Sequence, residues 1–240
     1  MTAPSTASKD EIARFTAIAD AWWDPAGDFA PLHRLNPVRL EFIRDHLCRH
    51  FDRDALGLRP LDGLGVIDIG CGGGLLAEPM RRLGAAVTGI DAGLENIDIA
   101  RHHAALVGLD IDYRHQLPED LGQDKGRYDV VLNMEVVEHV ADLDLFLGAA
   151  ASLVKPGGVM VLSTLNRTWK SLALAKIGAE YLLRWLPPGT HDWKKFVRPS
   201  ELAAGLEAHG VRLTDLKGMT YTLSGDWRLS RDLDVNYLAF

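Results

Sequence analysis

The stretch "MEVVEHV" places Glu135, Glu138 and His139 at spacings of three and four. On a helical turn those three side chains would lie near one face. Two carboxylates and an imidazole so placed can hold a hard divalent cation such as Mg. The same groups also read without a metal, with His139 as a general base and an acid orienting it. A third reading is structural: acids at a helix N-terminus, with His139 a polar core residue.

A second chemical signal lies upstream, in "VIDIGCGGGLLAE", Val66 to Glu78, where an apolar run closes on Asp68 and four glycines follow within five residues. Glycine permits positive φ and close approach of the backbone to another group. Gly70 and Gly72 match the first two glycines of the G-x-G-x-x-G dinucleotide fingerprint, but Leu75 stands where the third belongs. A nicotinamide oxidoreductase is therefore a distant reading. Asp91 closes the next apolar run, "VTGID". An acid at that strand end can accept hydrogen bonds from both hydroxyls of a ribose. Asp91 also reads as a cap for the helix after it, and the two roles are compatible.

The elements that must position these groups alternate. "GLGVIDIG", "AAVTGID", "IDYRHQ", "YDVVLNM" and "GGVMVLSTL" read as strands, and "LLAEPMRRLG", "LENIDIARHHAALVG" and "DLDLFLGAAASLV" as the helices between them. Strand and helix in alternation predict βαβ units, a parallel sheet and helices on both faces. Continuous apolar strands fit a sheet buried on both sides. Ahead of this core, residues 9–23 show helical periodicity and "WWDPAGDFAPLHRLNP" reads as loop. Asn36-Pro37 is then expected to cap and open a helix from Val38 to about His50. After Asn166 the rhythm breaks for some thirty residues. Helix and strand return at "RPSELAAGLEAHGVRLTDLKG", and "DVNYLAF" reads as a last strand.

The chain has 240 residues, 47% hydrophobic and 25% charged, with a net charge of −7. That composition fits a soluble globular protein of one domain with an insertion. Without a basic footprint, nucleic acid is not expected as a partner. Cys48 and Cys71 lack metal-ligand spacing, and a reducing compartment fits them. The opening residues carry no apolar segment of the secretory kind.

"DIGCGGG" resembles motif I of the class I S-adenosylmethionine-dependent methyltransferases, and "VTGID", "NMEVVEHV" and "LVKPGGVMVLSTLN" complete the pattern. The resemblance implies an α/β, Rossmann-like class I methyltransferase fold. Its mostly parallel twisted sheet would have helices on both faces and a helical insertion after the fifth strand. Further stretches, "FTAIADAWWDPAGDFAPLHRLNPVRLEFI", "STLNRT", "GAEYLLRWLPPGTHDWKKFVRPSEL" and "DVNYLAF", resemble the ubiquinone-biosynthesis O-methyltransferases. Those enzymes methylate polyprenylated hydroxyphenols and demethylubiquinol. The match runs from about Phe15 to the C-terminus.

The resemblance places cofactor contacts on Arg39, Gly70, Asp91 and Met134, with Gly72 in the same turn. A planar guanidinium at Arg39 suits the methionine carboxylate of S-adenosylmethionine, although Arg39 also reads as a surface residue of its helix. Met134 reads equally as core packing. Similarity to metal-dependent members implies a divalent cation at Glu135, Glu138 and His139, which would lower a phenol's pKa and orient its oxygen. His139 as the base for the phenol remains the alternative. The reaction implied is direct methyl transfer from the sulfonium to a phenolate oxygen, leaving S-adenosylhomocysteine. Cys71 then serves as a small turn residue, not a nucleophile.

The expected organisation is residues 1–50 as N-terminal helices covering the active site and 51–240 as the cofactor-binding domain, with an insertion at 166–198. Within it, "TWKSLALAKIGAEYLLRWLPP" reads as an amphipathic helix with charges that rule out spanning a bilayer. Residues 167–198 hold seven basic residues against two acids, in a chain that is acidic overall. A basic, Trp-bearing amphipathic patch predicts contact with an anionic membrane surface. A lid or a dimer contact is the alternative. The expected location is cytoplasmic, peripheral at the inner face of a bacterial membrane, with other ubiquinone-biosynthesis proteins as further partners. Two rival readings are a soluble O-methyltransferase acting on another small phenol, and a catalytically idle lipid-binding component of a biosynthetic complex.

Overall fold

Apolar runs that are buried on both sides assemble at the centre of the chain. A computed structural model of the protein describes residues 6, 22–27, 29–173, 192–222 and 225–240. Strands β1 (Gly65–Ile69), β2 (Ala86–Asp91), β3 (Asp112–His115), β4 (Tyr128–Met134) and β5 (Val154–Leu165) pair in parallel in the order β3-β2-β1-β4-β5. Three antiparallel strands extend the sheet past β5 in the order β8-β6-β7: β6 (Leu216–Tyr221), β7 (Trp227–Ser230) and β8 (Asn236–Ala239). The expected α/β fold with a mostly parallel sheet is what forms.

The register explains the two cores. Val66 lies beside Val87 and Val130, and Ile67 beside Val131. Successive side chains of a strand point to opposite faces. Val66, Val130, Leu132 and Val161 accordingly meet Phe42, Ile43 and Leu47 on one face. Ile67, Ile69, Val131 and Leu162 meet Phe146, Leu147, Leu202 and Leu206 on the other. Each fully buried aliphatic or aromatic side chain contributes about 1.5–3 kcal/mol.

Among the described residues the helices longer than one turn are α1 (Ala30–His50), α2 (Ala77–Arg82), α3 (Leu94–Leu106), α4 (Leu143–Ser152) and α5 (Pro199–Ala208). Helix α1 corrects the sequence reading, since it begins at Ala30 and not at Val38. Pro31 occupies the first turn, where no backbone donor is needed. Pro37 lies inside the helix and forgoes one backbone bond, which the packing of Leu35, Val38 and Phe42 outweighs. Asn36 is not a cap; its amide donates to the Leu75 carbonyl at 2.9 Å.

Other elements follow the expected boundaries to within a few residues. Strand β5 is longer than expected, because "VKP" joins it ahead of Gly157, through a register shift between Tyr128 and Val130. The strand expected to begin just after α5 starts only at Leu216, and β7 was not foreseen. The helices expected over 9–23 and 169–188 fall mostly outside the described residues. No helix among the described residues is long and apolar enough to cross a membrane.

Candidate functional site

The turn after β1 shows why glycine stands there. Gly70 and Gly72 have φ of +72° and +52°, in the left-handed region that side chains disfavour. The backbone N–H groups of Gly70 and Cys71 both donate to the Ile90 carbonyl, at 2.8 and 3.0 Å, which ties the turn to the end of β2. A Cβ on Gly70 would collide with Val136 of the loop after β4, and one on Gly72 with the Trp22 ring.

Trp22 therefore packs directly on the glycine turn. Its ring stacks on Phe29 at 3.8 Å, and its indole N–H donates to Asn96 Oδ1 at 2.9 Å. Trp23 stacks on His103 at 3.5 Å and donates to the Gly73 carbonyl at 2.9 Å. The aromatic pair thus lies against the glycine turn. His33 contacts the Trp22 carbonyl at 2.9 Å.

Asp91 joins the two loops that border this turn. Its Oδ2 accepts from the Gly72 N–H at 2.9 Å, and its Oδ1 from Gly93 N–H at 2.8 Å and Asn96 Nδ2 at 3.0 Å. Oδ2 keeps acceptor capacity for a ligand hydroxyl. Burial raises the Asp91 pKa, and these three hydrogen bonds oppose that rise.

Across the turn lies a buried charged group that the sequence only half disclosed. Arg39 of α1 is 4% exposed and donates from Nη2 to Glu135 Oε1 at 2.6 Å. It is therefore not a surface residue of its helix. Its Nε is buried with no partner among the described residues, and neither has Asp68 Oδ2. Burial lifts the Asp68 pKa to about 7, the Asp91 charge adds to this, and the Arg39 charge opposes it. Met134 is partly buried, beside Ser163 in the register of β4 and β5, and packs against the core.

The expected helical turn at "EVVEH" is not there. Glu135 takes φ +56°, rare for a residue with a side chain, and only a short turn follows, closed by His139 N–H donating to the Val136 carbonyl at 2.8 Å. Ser163 Oγ donates to Glu135 Oε1 at 2.7 Å, and Thr164 Oγ1 to Glu138 Oε2 at 2.8 Å. Ser163 and Thr164 are consecutive in β5 and project to opposite faces of the sheet. The two acids thus have different hydroxyl partners. Among the described residues no group of three or more His, Cys, Asp or Glu converges on a point that could hold a metal ion. As arranged, Glu135, Glu138 and His139 do not fit a shared cation. Glu138 is 2% exposed, and burial, reinforced by the Glu135 charge, raises its pKa to about 8. His139 ends the turn, partly exposed.

Sequence reasoning missed Asn96 and Ser163, whose partners Trp22 and Glu135 lie far along the chain. A Ser-Thr pair ending a strand beside an acid-rich loop was the one available signal.

A family model described as "Methyltransferase domain" matches residues 39–216. The ubiquinone biosynthesis O-methyltransferase of Paramagnetospirillum magneticum is 57% identical, over 98% of this chain and 94% of its own length. That of Brucella anthropi is 56% identical, over 99% and 96%. Among solved structures, the magnesium protoporphyrin IX methyltransferase of Synechocystis PCC 6803 with bound S-adenosylhomocysteine superposes with a TM-score of 0.63 at 22% identity, covering 95% of this chain and 93% of that one. A possible histamine N-methyltransferase of Thermotoga maritima gives 0.62 at 16% identity, covering 97% and 98%. These two likenesses concern the fold, whereas identity above one half along nearly the whole length concerns descent. On that ground the chain belongs to the ubiquinone biosynthesis O-methyltransferases, a family of the S-adenosylmethionine-dependent class I methyltransferases.

Proposed function

We propose that the protein transfers the methyl group of S-adenosylmethionine to a phenolic hydroxyl of polyprenylated ubiquinone precursors. The observation that carries this reading is the pair of buried, unpartnered polar atoms, Arg39 Nε and Asp68 Oδ2, beside a glycine turn whose far side is bordered by Asp91. A ligand with a carboxylate, an ammonium and a ribose presents the complementary groups.

Bound there, S-adenosylmethionine supplies a sulfonium methyl that is already strongly electrophilic. The chain has three tasks. Arg39 binds the carboxylate of the methionine part, and Asp91 accepts from the ribose hydroxyls. Gly70, Gly72 and Met134 let the ligand lie close to the backbone at the strand ends. Trp22 and Trp23 exclude water on the N-terminal side, in keeping with the N-terminal residues acting as a cover. His139 takes the phenol proton, so that the oxygen attacks as phenolate in line with the methyl. No covalent intermediate forms on the protein.

A polyprenyl tail confines the acceptor to a bilayer. The segment 166–198 is where the protein meets it, with its excess of basic residues facing anionic lipid. Trp169, 78% exposed and stacked with Trp193 at 5.4 Å, stands in this stretch and suits the membrane interface. The protein then works peripherally at the inner face of the bacterial membrane.

The test is methyl transfer from labelled S-adenosylmethionine to a demethylubiquinol analogue in anionic vesicles, set against a free catechol in solution. Turnover of the quinol analogue supports the reading. Turnover of the catechol alone moves the protein to small soluble phenols. Binding to vesicles without turnover of either defeats the enzymatic reading.

A further inference from the structure

Arg39 is a buried cation on a long, flexible side chain, and a ligand-binding guanidinium has to be aimed before the ligand arrives. Among the described residues its one hydrogen-bonding anchor is the Glu135 carboxylate, at 2.6 Å. That carboxylate is itself fixed. Ser163 Oγ donates to the same oxygen, Oε1, at 2.7 Å. The Glu135 backbone N–H donates to the Ser163 carbonyl at 2.9 Å. Glu135 also holds φ at +56°, a conformation that costs a side-chain-bearing residue about 1–2 kcal/mol. Strain of this kind persists where the surroundings over-determine it, and it gathers at functional sites. The relay occupies Nη2, while Arg39 Nε is buried with no partner among the described residues.

We propose that Glu135, held by Ser163, is a positioning residue that aims the Arg39 guanidinium at the methionine carboxylate of S-adenosylmethionine. The proposal rests on the reading of Arg39 as the carboxylate contact and gives Glu135 a task other than metal ligation. The two acids then have different partners: Glu135 is held by Ser163 and pairs with Arg39 of α1, and Glu138 is held by Thr164. Ser163 becomes part of the cofactor site without touching the cofactor.

The experiment compares two ligands by calorimetry in the presence of chelator: S-adenosylhomocysteine, and the same molecule lacking its carboxylate. The parent should bind the first about 10–100-fold more tightly, the worth of a charge-assisted hydrogen-bonded pair. Arg39→Met should bring the ratio close to one. Glu135→Ala should lower the ratio at least fivefold while leaving the affinity for the decarboxylated ligand unchanged. Ser163→Ala should lower it less, and it serves as the milder variant where Glu135→Ala folds poorly. Glu135→Gln keeps an acceptor for Nη2 and should retain most of the parent's ratio, whereas a residue that served only as a metal ligand would leave the ratio unchanged in chelator even as alanine. If Glu135→Ala and Ser163→Ala keep the parent's ratio, or weaken both ligands equally, the positioning role is overturned. If the parent itself does not discriminate, the Arg39 contact fails first and the proposal falls with it.

Discussion

Asp68→Asn removes a buried charge and keeps the shape of the side chain. Asp68 is 2% exposed, and its pKa rises from 3.8 to about 7, chiefly by burial and then by the nearby Asp91 charge. An acid whose folded pKa lies above its unfolded value favours the native state fully only below the unfolded pKa. As pH climbs, the unfolded chain loses this proton first and the folded protein holds it longer. Stability therefore drains away between about pH 4 and pH 7 and is flat above. About three pKa units at 1.4 kcal/mol each set the total at roughly 4 kcal/mol, an upper bound because relaxation and water entry reduce it. The amide brings a penalty of its own, about 1–3 kcal/mol for hydrogens left unpaired, but that penalty does not vary with pH. The readout is accordingly a difference of slopes. Urea unfolding of parent and variant at intervals from pH 4 to pH 9 should show the variant gaining on the parent by about 2–4 kcal/mol up to pH 7 and no further. Two parallel curves would refute the account of Asp68 as a buried acid held against its preference.

Three further outcomes can be measured. Gly70→Ala forces a side chain into positive φ and against Val136, and should destabilise the fold by about 2–5 kcal/mol in denaturant titration. Asp91→Ala should weaken S-adenosylhomocysteine about 10–100-fold in calorimetry, the value of charge-assisted hydrogen bonds; an unaltered affinity would dismiss the ribose contact. Replacing Lys176, Arg184, Lys194 and Lys195 together with alanine should strip binding to anionic vesicles in flotation, at about 1 kcal/mol per charge, with binding to neutral vesicles unaffected.

The parallel half of the sheet was legible because its signal is local and strong. Strands such as "GVIDI" and "YDVVLNM" are apolar on both sides, and glycines punctuate the helices between them. The antiparallel edge was less so. Strand β7 spans four residues, "WRLS", mixes polar with apolar side chains, and is held mainly by pairing with β6. Its neighbours in space, and not its composition, make it a strand. Helix α1 was misjudged at its start because proline was weighed as a breaker. The bond from Asn36 to Leu75 and the burial of Leu35 are tertiary facts that no local rule contains.

The site divides along the same line, and "EVVEH" shows why. Gly70 and Asp91 could be read because one conformation or one strand end suffices to assign them. A spacing of three or four carries meaning only on a helix, and the reading of Glu135, Glu138 and His139 as one face borrowed that premise. The left-handed Glu135 breaks it at the first residue. What replaces it is an alternation in another element: Ser163 and Thr164, adjacent in β5, each take one acid. Neighbours on a strand face opposite ways, so the two carboxylates have different hydroxyl partners while Glu135 still raises the Glu138 pKa. Their roles must then be sought separately, Glu135 with the arginine of α1 and Glu138 with the buried acid's proton that its surroundings hold up to about pH 8.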